Sequence, residues 1–270
     1  MTTPDNYVHG HHESVLRSHT WRSVENSAAY LAPSLEPGLD ILDVGCGPGT
    51  ISVDLGARVG PGGSVVGIDA SADVIDKAKN LLVDGAHPNC SFEVADVYQL
   101  GFPDDHFDIV HAHQVLQHLT DPVRALREMR RVAKPGGIVA VRDADYGGMT
   151  WAPSDPLLTR WLELYHQITS ANQVEADAGR FLLGWALEAG LNRVDATSST
   201  WTFATPDLRT WWAELWADRV VHSSYASEAR AHRLSDDDEL EAIAAAWRRW
   251  CEQPDAFFVC PHAELVATVD

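Results

Sequence analysis

Ile41-Leu-Asp-Val-Gly-Cys-Gly-Pro-Gly-Thr50 is an apolar run that breaks into three alternate glycines, and Asp69 follows twenty residues after Gly49. Glycine at positions 45, 47 and 49 permits a backbone turn that side chains would block, and it lets a ligand lie against the main chain. Asp69 closes a second apolar run, Ser64-Val-Val-Gly-Ile-Asp69, where a carboxylate suits the hydroxyls of a ribose. Strand, glycine turn, helix, strand and acid form one half of a Rossmann-like unit. A nucleotide-like ligand is expected.

The letters of the turn choose between ligand classes. Counted from Gly45, the dinucleotide pattern G-x-G-x-x-G needs glycine at position 50, where this chain has Thr50. Asp43, two residues before the first glycine, would repel a pyrophosphate but could orient an ammonium group directly or through water. S-adenosylmethionine carries a ribose and an ammonium and has no phosphate, so it is the expected cofactor.

Four segments in order resemble the class I S-adenosylmethionine-dependent methyltransferases. They are Asp43-Val-Gly-Cys-Gly-Pro-Gly49, Gly67-Ile-Asp69, Ala95-Asp96-Val97 and Arg131-Val-Ala-Lys-Pro-Gly-Gly-Ile138. The run Phe107-Asp-Ile-Val-His-Ala-His-Gln-Val-Leu-Gln-His-Leu-Thr-Asp-Pro122 also resembles the fourth strand and following helix of the branch that contains ubiquinone and menaquinone biosynthesis methyltransferases. The resemblance covers residues 38–142. It implies an α/β, Rossmann-like, seven-stranded and mostly parallel sheet, with an antiparallel final strand, helices on both faces and an added helical lid. The implied activity is transfer of a methyl group to O, N or C of a small organic acceptor, with S-adenosylhomocysteine as product. A quinol, phenol or natural-product intermediate is the favoured acceptor.

For the cofactor, the expected contacts are Asp43, Gly45, Gly47 and Gly49 in the turn, and Asp69 with Ala70 at the ribose. The resemblance implies that Asp96 meets the adenine amino group and that Val97 supplies a backbone donor. His113 and Gln114 follow the fourth strand, at the sheet edge where ligands collect in this topology. His118 matches a position that the resemblance places near the methyl group, and acceptor binding, proton removal and helix capping all stay open for it. His118 and His113 are the catalytic candidates, because a nearby imidazole can take a proton from a phenol, enol, acid or amine near neutral pH. His111 and His113 share one strand face, but spacing places no third ligand, so no metal is expected. A cofactor-binding sensor or scaffold would keep Asp43, Asp69 and the glycines without an acceptor base. A nicotinamide-dependent dehydrogenase is disfavoured by Thr50 and Asp43.

The net charge of −19, from 20 basic and 39 acidic residues, argues against nucleic acid or an anionic membrane as partner. No apolar run approaches the ~20 residues of a membrane span, and Met1-Thr-Thr-Pro-Asp-Asn6 lacks a signal-peptide pattern. The expected location is cytoplasmic and the expected partner a small-molecule methyl acceptor, with the oligomeric state left open. Cysteines 46, 90, 251 and 260 show no C-x-x-C spacing and read as reduced thiols.

Ten tryptophans are present and none falls between Gly38 and Thr150, so the chain changes texture after its core. Residues 1–37 read as an N-terminal helical arm or lid and 38–150 as the cofactor-binding core. Residues 151–270 read as the rest of the sheet with a helical lid at about 155–173 and 207–252. Strands are expected at 39–44, 64–69, 91–95, 107–112, 137–142, 192–204 and 256–268. On the arm, Tyr7, His9, His12 and Arg17 stand in a histidine-dense run and read either as contacts to acceptor or cofactor carboxylate or as a solvated arm. Tyr146 and Trp151, just after the fifth strand, are expected beside the methyl group. Trp212 sits with Trp211 and Trp216 on a helix after Pro206; packing explains most of them, and the sharper reading lines an apolar acceptor pocket.

Overall fold

The computed structural model describes residues 19–270. In chain order the strands are β1 (Asp40–Val44), β2 (Ser64–Asp69), β3 (Cys90–Val94), β4 (Phe107–His113), β5 (Ala133–Ala144), β6 (Thr150–Ala152), β7 (Arg193–Phe203) and β8 (Phe257–Thr268). The helices are α1 (Val24–Ser27), α2 (Thr50–Val59), α3 (Ala72–Lys79), α4 (Pro122–Val132), α5 (Pro156–Ala171), α6 (Ala178–Glu188), α7 (Pro206–His222), α8 (Ser224–Ala231) and α9 (Asp237–Cys251).

One sheet runs β3-β2-β1-β4-β5-β8, with β7 beside β8 and the three-residue β6 added to the start of β8. Neighbouring strands from β3 to β5 pair parallel, and β8 runs antiparallel to both β5 and β7. Parallel strands covered on both faces need apolar residues on both. β1 meets this need: Leu42 and Val44 pack under α4 and α6, and Ile41 packs on the opposite face with residues of α1 and α2. The helices start where the sequence caps them. Asp121 accepts from the Arg124 amide at 3.0 Å ahead of Pro122, and α4 then buries Val123, Leu126 and Met129.

Beyond the sheet, α5, α7, α8 and α9 enclose a second core. Trp161, Trp212, Trp216, Trp247 and Trp250 pack there against Phe203 and Phe258 from β7 and β8. Within the helical segment expected over 207–252, the first break falls at Ser223. Its hydroxyl donates to the Arg219 carbonyl at 2.7 Å and accepts from the Tyr225 amide at 3.2 Å, ending α7 and capping α8. β5 begins at Ala133 rather than at 137, because a register shift between Phe107 and Ile109 keeps Lys134-Pro-Gly-Gly137 in the strand. The helical arm expected over 1–37 is represented among the described residues by α1 and a 3-10 turn at Ala32–Ser34. Ser23 opens α1 with a reciprocal bond to Asn26.

The sheet face beneath the arm carries polar side chains. Arg142 on β5, 1% exposed, donates to Glu264 Oε1 on β8 at 3.0 Å, and Thr197 and Ser199 on β7 donate to the same carboxylate. Removing one member of such a pair strands a buried charge. Glu264→Ala is therefore expected to cost about 3–5 kcal/mol in urea unfolding, whereas Arg142→Met with Glu264→Leu should cost far less. Equal losses in the two variants would contradict this account.

Candidate active site

A cavity of about 970 Å³ opens at the carboxyl ends of β1, β2, β3 and β4. The strand order reverses there, with β2 on one side of β1 and β4 on the other, which is where open α/β sheets take ligands. Asp43, Gly45, Gly47, Asp69, Ala70, Asp96, Val97, His113, Gln114 and His118 all line it. Gly49 does not: it starts α2 at φ +85, and a Cβ on it would strike the Phe92 ring. Its part is to turn the chain tightly against β3.

At the turn, Gly45 and Gly47 have φ of +64 and +56. A Cβ at Gly47 would meet only His19 Nδ1 at 3.5 Å, so the main chain faces the cavity bare. Asp69 accepts from the Gly47 amide at 3.2 Å and the Ser71 amide at 3.0 Å, which fixes its carboxylate at the mouth. A carboxylate oxygen that takes an amide hydrogen on one lone pair can take a ribose hydroxyl on the other. Asp43 is buried below. Its oxygens accept from Ser52 Oγ at 2.5 Å and His111 Nδ1 at 2.8 Å. Asp96 accepts from the Tyr98 amide at 2.9 Å, an Asx turn that sets the Val97 peptide. A bare glycine floor and carboxylates at the ends of β1, β2 and β3 fit the ammonium, ribose and adenine of S-adenosylmethionine.

The other end is built from β4, the turn after it and the arm. Gln114 has φ +54; its amide bonds the Arg142 carbonyl at 2.7 Å, and its side-chain oxygen accepts from Arg22 at 2.5 Å. Burial and then the nearby Arg22 hold the His113 ring well below its usual pKa. Burial, with Arg22 and Arg219, pushes His118 down to about 3. Both rings are uncharged at neutral pH. Gln117 Nε2 lies 2.9 Å from His118 Nε2, and the Gln117 amide donates to Asp143 Oδ1 at 3.1 Å, pinning the turn that carries His118. Burial pushes the Asp143 carboxyl up to about 7.

Three aromatic residues expected at the acceptor do not line this cavity. Tyr146 stacks on Tyr165 at 4.1 Å, Trp212 stacks on Phe203 at 4.2 Å, and Trp151 stacks on Phe258 at 5.9 Å, all in the second core. Their apolar surface is consumed by packing α5, α7 and α9 onto the sheet. Tyr7, His9, His12 and Arg17 lie outside the described residues.

The structure brings in residues that the sequence reading passed over: His19 and Arg22 from the arm, Tyr98 beside Asp96, Val115 and Leu119 after β4, and Ser224 at the α7–α8 break. Only Tyr98, next to Ala95-Asp96-Val97, had a local signal. Among the described residues no three His, Cys, Asp or Glu side chains converge on a metal position. The four cysteines are free and buried, and burial raises the Cys90 and Cys260 thiols to about 11 and 12. Among the described residues no helix is long and apolar enough to cross a membrane.

Comparison with known proteins agrees with this geometry. A family model described as a methyltransferase domain matches residues 35–207. An uncharacterized methyltransferase of Schizosaccharomyces pombe is 36% identical over 96% of this chain and 95% of its own length. The ubiquinone/menaquinone biosynthesis C-methyltransferase UbiE of Hahella chejuensis is 34% identical, but over only 47% of this chain and 49% of its own. A phosphoethanolamine N-methyltransferase of Haemonchus contortus, solved with phosphomonomethylethanolamine and S-adenosylhomocysteine, shares the fold. Its TM-score is 0.56 at 15% identity, over 90% of this chain and 52% of that one. With the glycine turn, Asp69 and Asp96 around one cavity, these matches establish that the chain belongs to the class I S-adenosylmethionine-dependent methyltransferases.

Proposed function

We propose that this methyltransferase acts on O, N or C of a small organic acceptor enclosed in the cavity, with a phenol, quinol or related natural-product intermediate favoured. The observation that carries the reading is a single cavity with two chemically different ends. Carboxylates of β1, β2 and β3 stand at one end, and His113, Gln114, His118 and Arg22 stand at the other. Its volume of about 970 Å³ is near the top of the range for one-ligand pockets, ~300–1,000 Å³, which suits a cofactor with a small acceptor.

When bound, S-adenosylmethionine supplies a methyl group on a sulfonium whose departure leaves a neutral thioether. The protein's share is alignment. The glycine floor and Asp69 hold the cofactor side, and the pinned turn Leu116–His118 presents His118 to the acceptor side. With Gln117 Nε2 donating to His118 Nε2, the ring held uncharged by burial carries its proton on Nδ1, so it can donate to an acceptor oxygen but binds a transferred proton weakly. His118 thus orients the acceptor, and an acceptor that reaches the site already ionised suits it best. The arm, with α7 and α8, forms the lid in this reading, through Arg22 and Ser224 at the cavity wall.

The deciding experiment follows methyl label from S-adenosylmethionine into small molecules, protein and nucleic acid of a fractionated extract. Label in one small metabolite is expected, and label confined to protein or nucleic acid would end the proposal. Asp69→Ala should lower S-adenosylhomocysteine affinity by more than tenfold in calorimetry, because the ribose hydroxyls lose their acceptor; an unchanged affinity would remove Asp69 from the site. His118→Gln should reduce turnover at saturating cofactor by less than the ~10²–10⁴ that proton transfer contributes. A full loss of that size would restore the imidazole as base.

Stability should also depend on pH. His113, His118 and the buried His262 all have depressed pKa values, so an unfolded chain takes up protons below about pH 6.5 that the folded chain refuses. Their contribution is present above pH 6.5 and lost as pH falls. Asp143, raised to about 7, acts oppositely: its contribution is present below ~4 and lost as pH rises through 7. Three histidines outweigh one carboxyl, so the melting temperature should be lower at pH 5 than at pH 7.5. An equal or higher value at pH 5 would contradict the burial argument.

A further inference from the structure

His262 lies on β8, 1% exposed, and does not line the cavity. Its ring is nevertheless one bond away from the cavity wall. Nδ1 is 3.1 Å from the Cys260 carbonyl, which can only accept, so Nδ1 carries the proton. Nε2 is then a bare acceptor, and Gln114 Nε2 donates to it at 2.8 Å. That contact settles the amide orientation. Gln114 Oε1 points the other way, and the Arg22 guanidinium, which has only donors, bonds it at 2.5 Å. The chain of bonds is therefore directional: Arg22 to Gln114, Gln114 to His262, His262 to the β8 backbone.

Trp201 on β7 supports each end of this chain. Its ring lies 4.4 Å from the His262 ring, the Arg22 guanidinium sits 5.7 Å from its centroid, and its Nε1 donates to the Asn26 carbonyl of the arm at 2.7 Å. Arg22 and Asn26 belong to the arm, and Gln114 belongs to the cavity wall. Gln114 also sits at φ +54, a conformation that a non-glycine residue holds when its surroundings fix it.

We propose that His262 is a positioning residue. By accepting from Gln114 it aims the Gln114 oxygen at Arg22 and so clamps the N-terminal arm over the cofactor cavity. The proposal rests on reading that cavity as the S-adenosylmethionine site. Remote from the ligand, His262 acts only through Gln114.

The full-length protein with His262→Phe keeps a ring against Trp201 and loses both nitrogens. S-adenosylhomocysteine affinity by calorimetry should fall roughly tenfold, since a buried amide is left without its acceptor. Amide exchange over residues 19–31 should rise while that of β1 and β4 stays unchanged. His262→Gln, whose carbonyl can accept from Gln114, should recover most of both effects. Combining His262→Phe with Gln114→Leu should weaken binding no more than Gln114→Leu alone, because both break one chain. Unchanged arm exchange in His262→Phe, or additive losses in the double variant, would overturn the proposal. The exchange measurement needs no ligand. If the wild-type protein fails to bind S-adenosylhomocysteine, the cofactor reading falls, and arm exchange still decides the role of His262.

Discussion

Asp43 is the point at which three elements of the core are tied together. It is 2% exposed on β1, takes a bond from Ser52 on α2 and takes another from His111 on β4. A buried carboxylate is tolerable only when its oxygens are paired, and these two partners come from the helix that follows the glycine turn and from the strand beside β1. The turn between Asp43 and Thr50 therefore has little freedom. Gly45, Gly47 and Gly49 take left-handed conformations because the chain must leave a fixed strand and enter a fixed helix within six residues. Everything the cavity presents at that end, the bare main chain and the Asp69 carboxylate bonded to the Gly47 amide, follows from that tie.

The end of the cavity beside β4 depends on a different device. The sheet face under the arm is polar where a Rossmann-like sheet is commonly apolar, with His111, His113, Arg142, His262 and Glu264 all buried. Burial of so many polar groups lowers stability unless they bond one another, which the Arg142–Glu264 pair and the Gln114–His262 contact do. The same burial keeps His113, His118 and His262 uncharged, so they are fixed hydrogen-bonding groups across the neutral range rather than titrating ones. Rigidity at this end of the cavity and reluctance to hold a proton share one cause.

The glycine-turn end of the cavity was legible in the sequence because its signals are local. Asp43 to Gly49 is one turn, Asp69 and Asp96 each end an apolar run, and Asp121-Pro122 caps a helix within four residues. The positions of the long strands could likewise be read from their apolar runs and the turn residues between them. The break at Ser223 could not, because a single serine that bonds backward to Arg219 and forward to Tyr225 leaves no gap in the apolar pattern. Tyr146, Trp151 and Trp212 look like pocket residues by position after a strand or on an aromatic helix. Which side of a ring faces a neighbour is a tertiary fact, and here each stacks on another aromatic ring. Arg22 and His262 were equally silent, since the bonds that give them meaning span 92 and 148 residues.

The division also explains how one family can share a cofactor and differ in acceptor. The likeness to UbiE spans about half of either chain, and the glycine turn, Asp69 and Asp96 lie within the first half of this one. The second half contributes the tryptophan core, whose buried rings hold α7 and α8 in place so that Ser224 reaches the cavity and Arg219 acts on His118. A substitution in that core need not touch a ligand to change what fits: a shift of the α7–α8 break would move the wall opposite the glycine turn while leaving Asp43, Asp69 and Asp96 as they are. The packing of the aromatic core thus sets where that wall stands, and it can drift without any change in Asp43, Asp69 or Asp96.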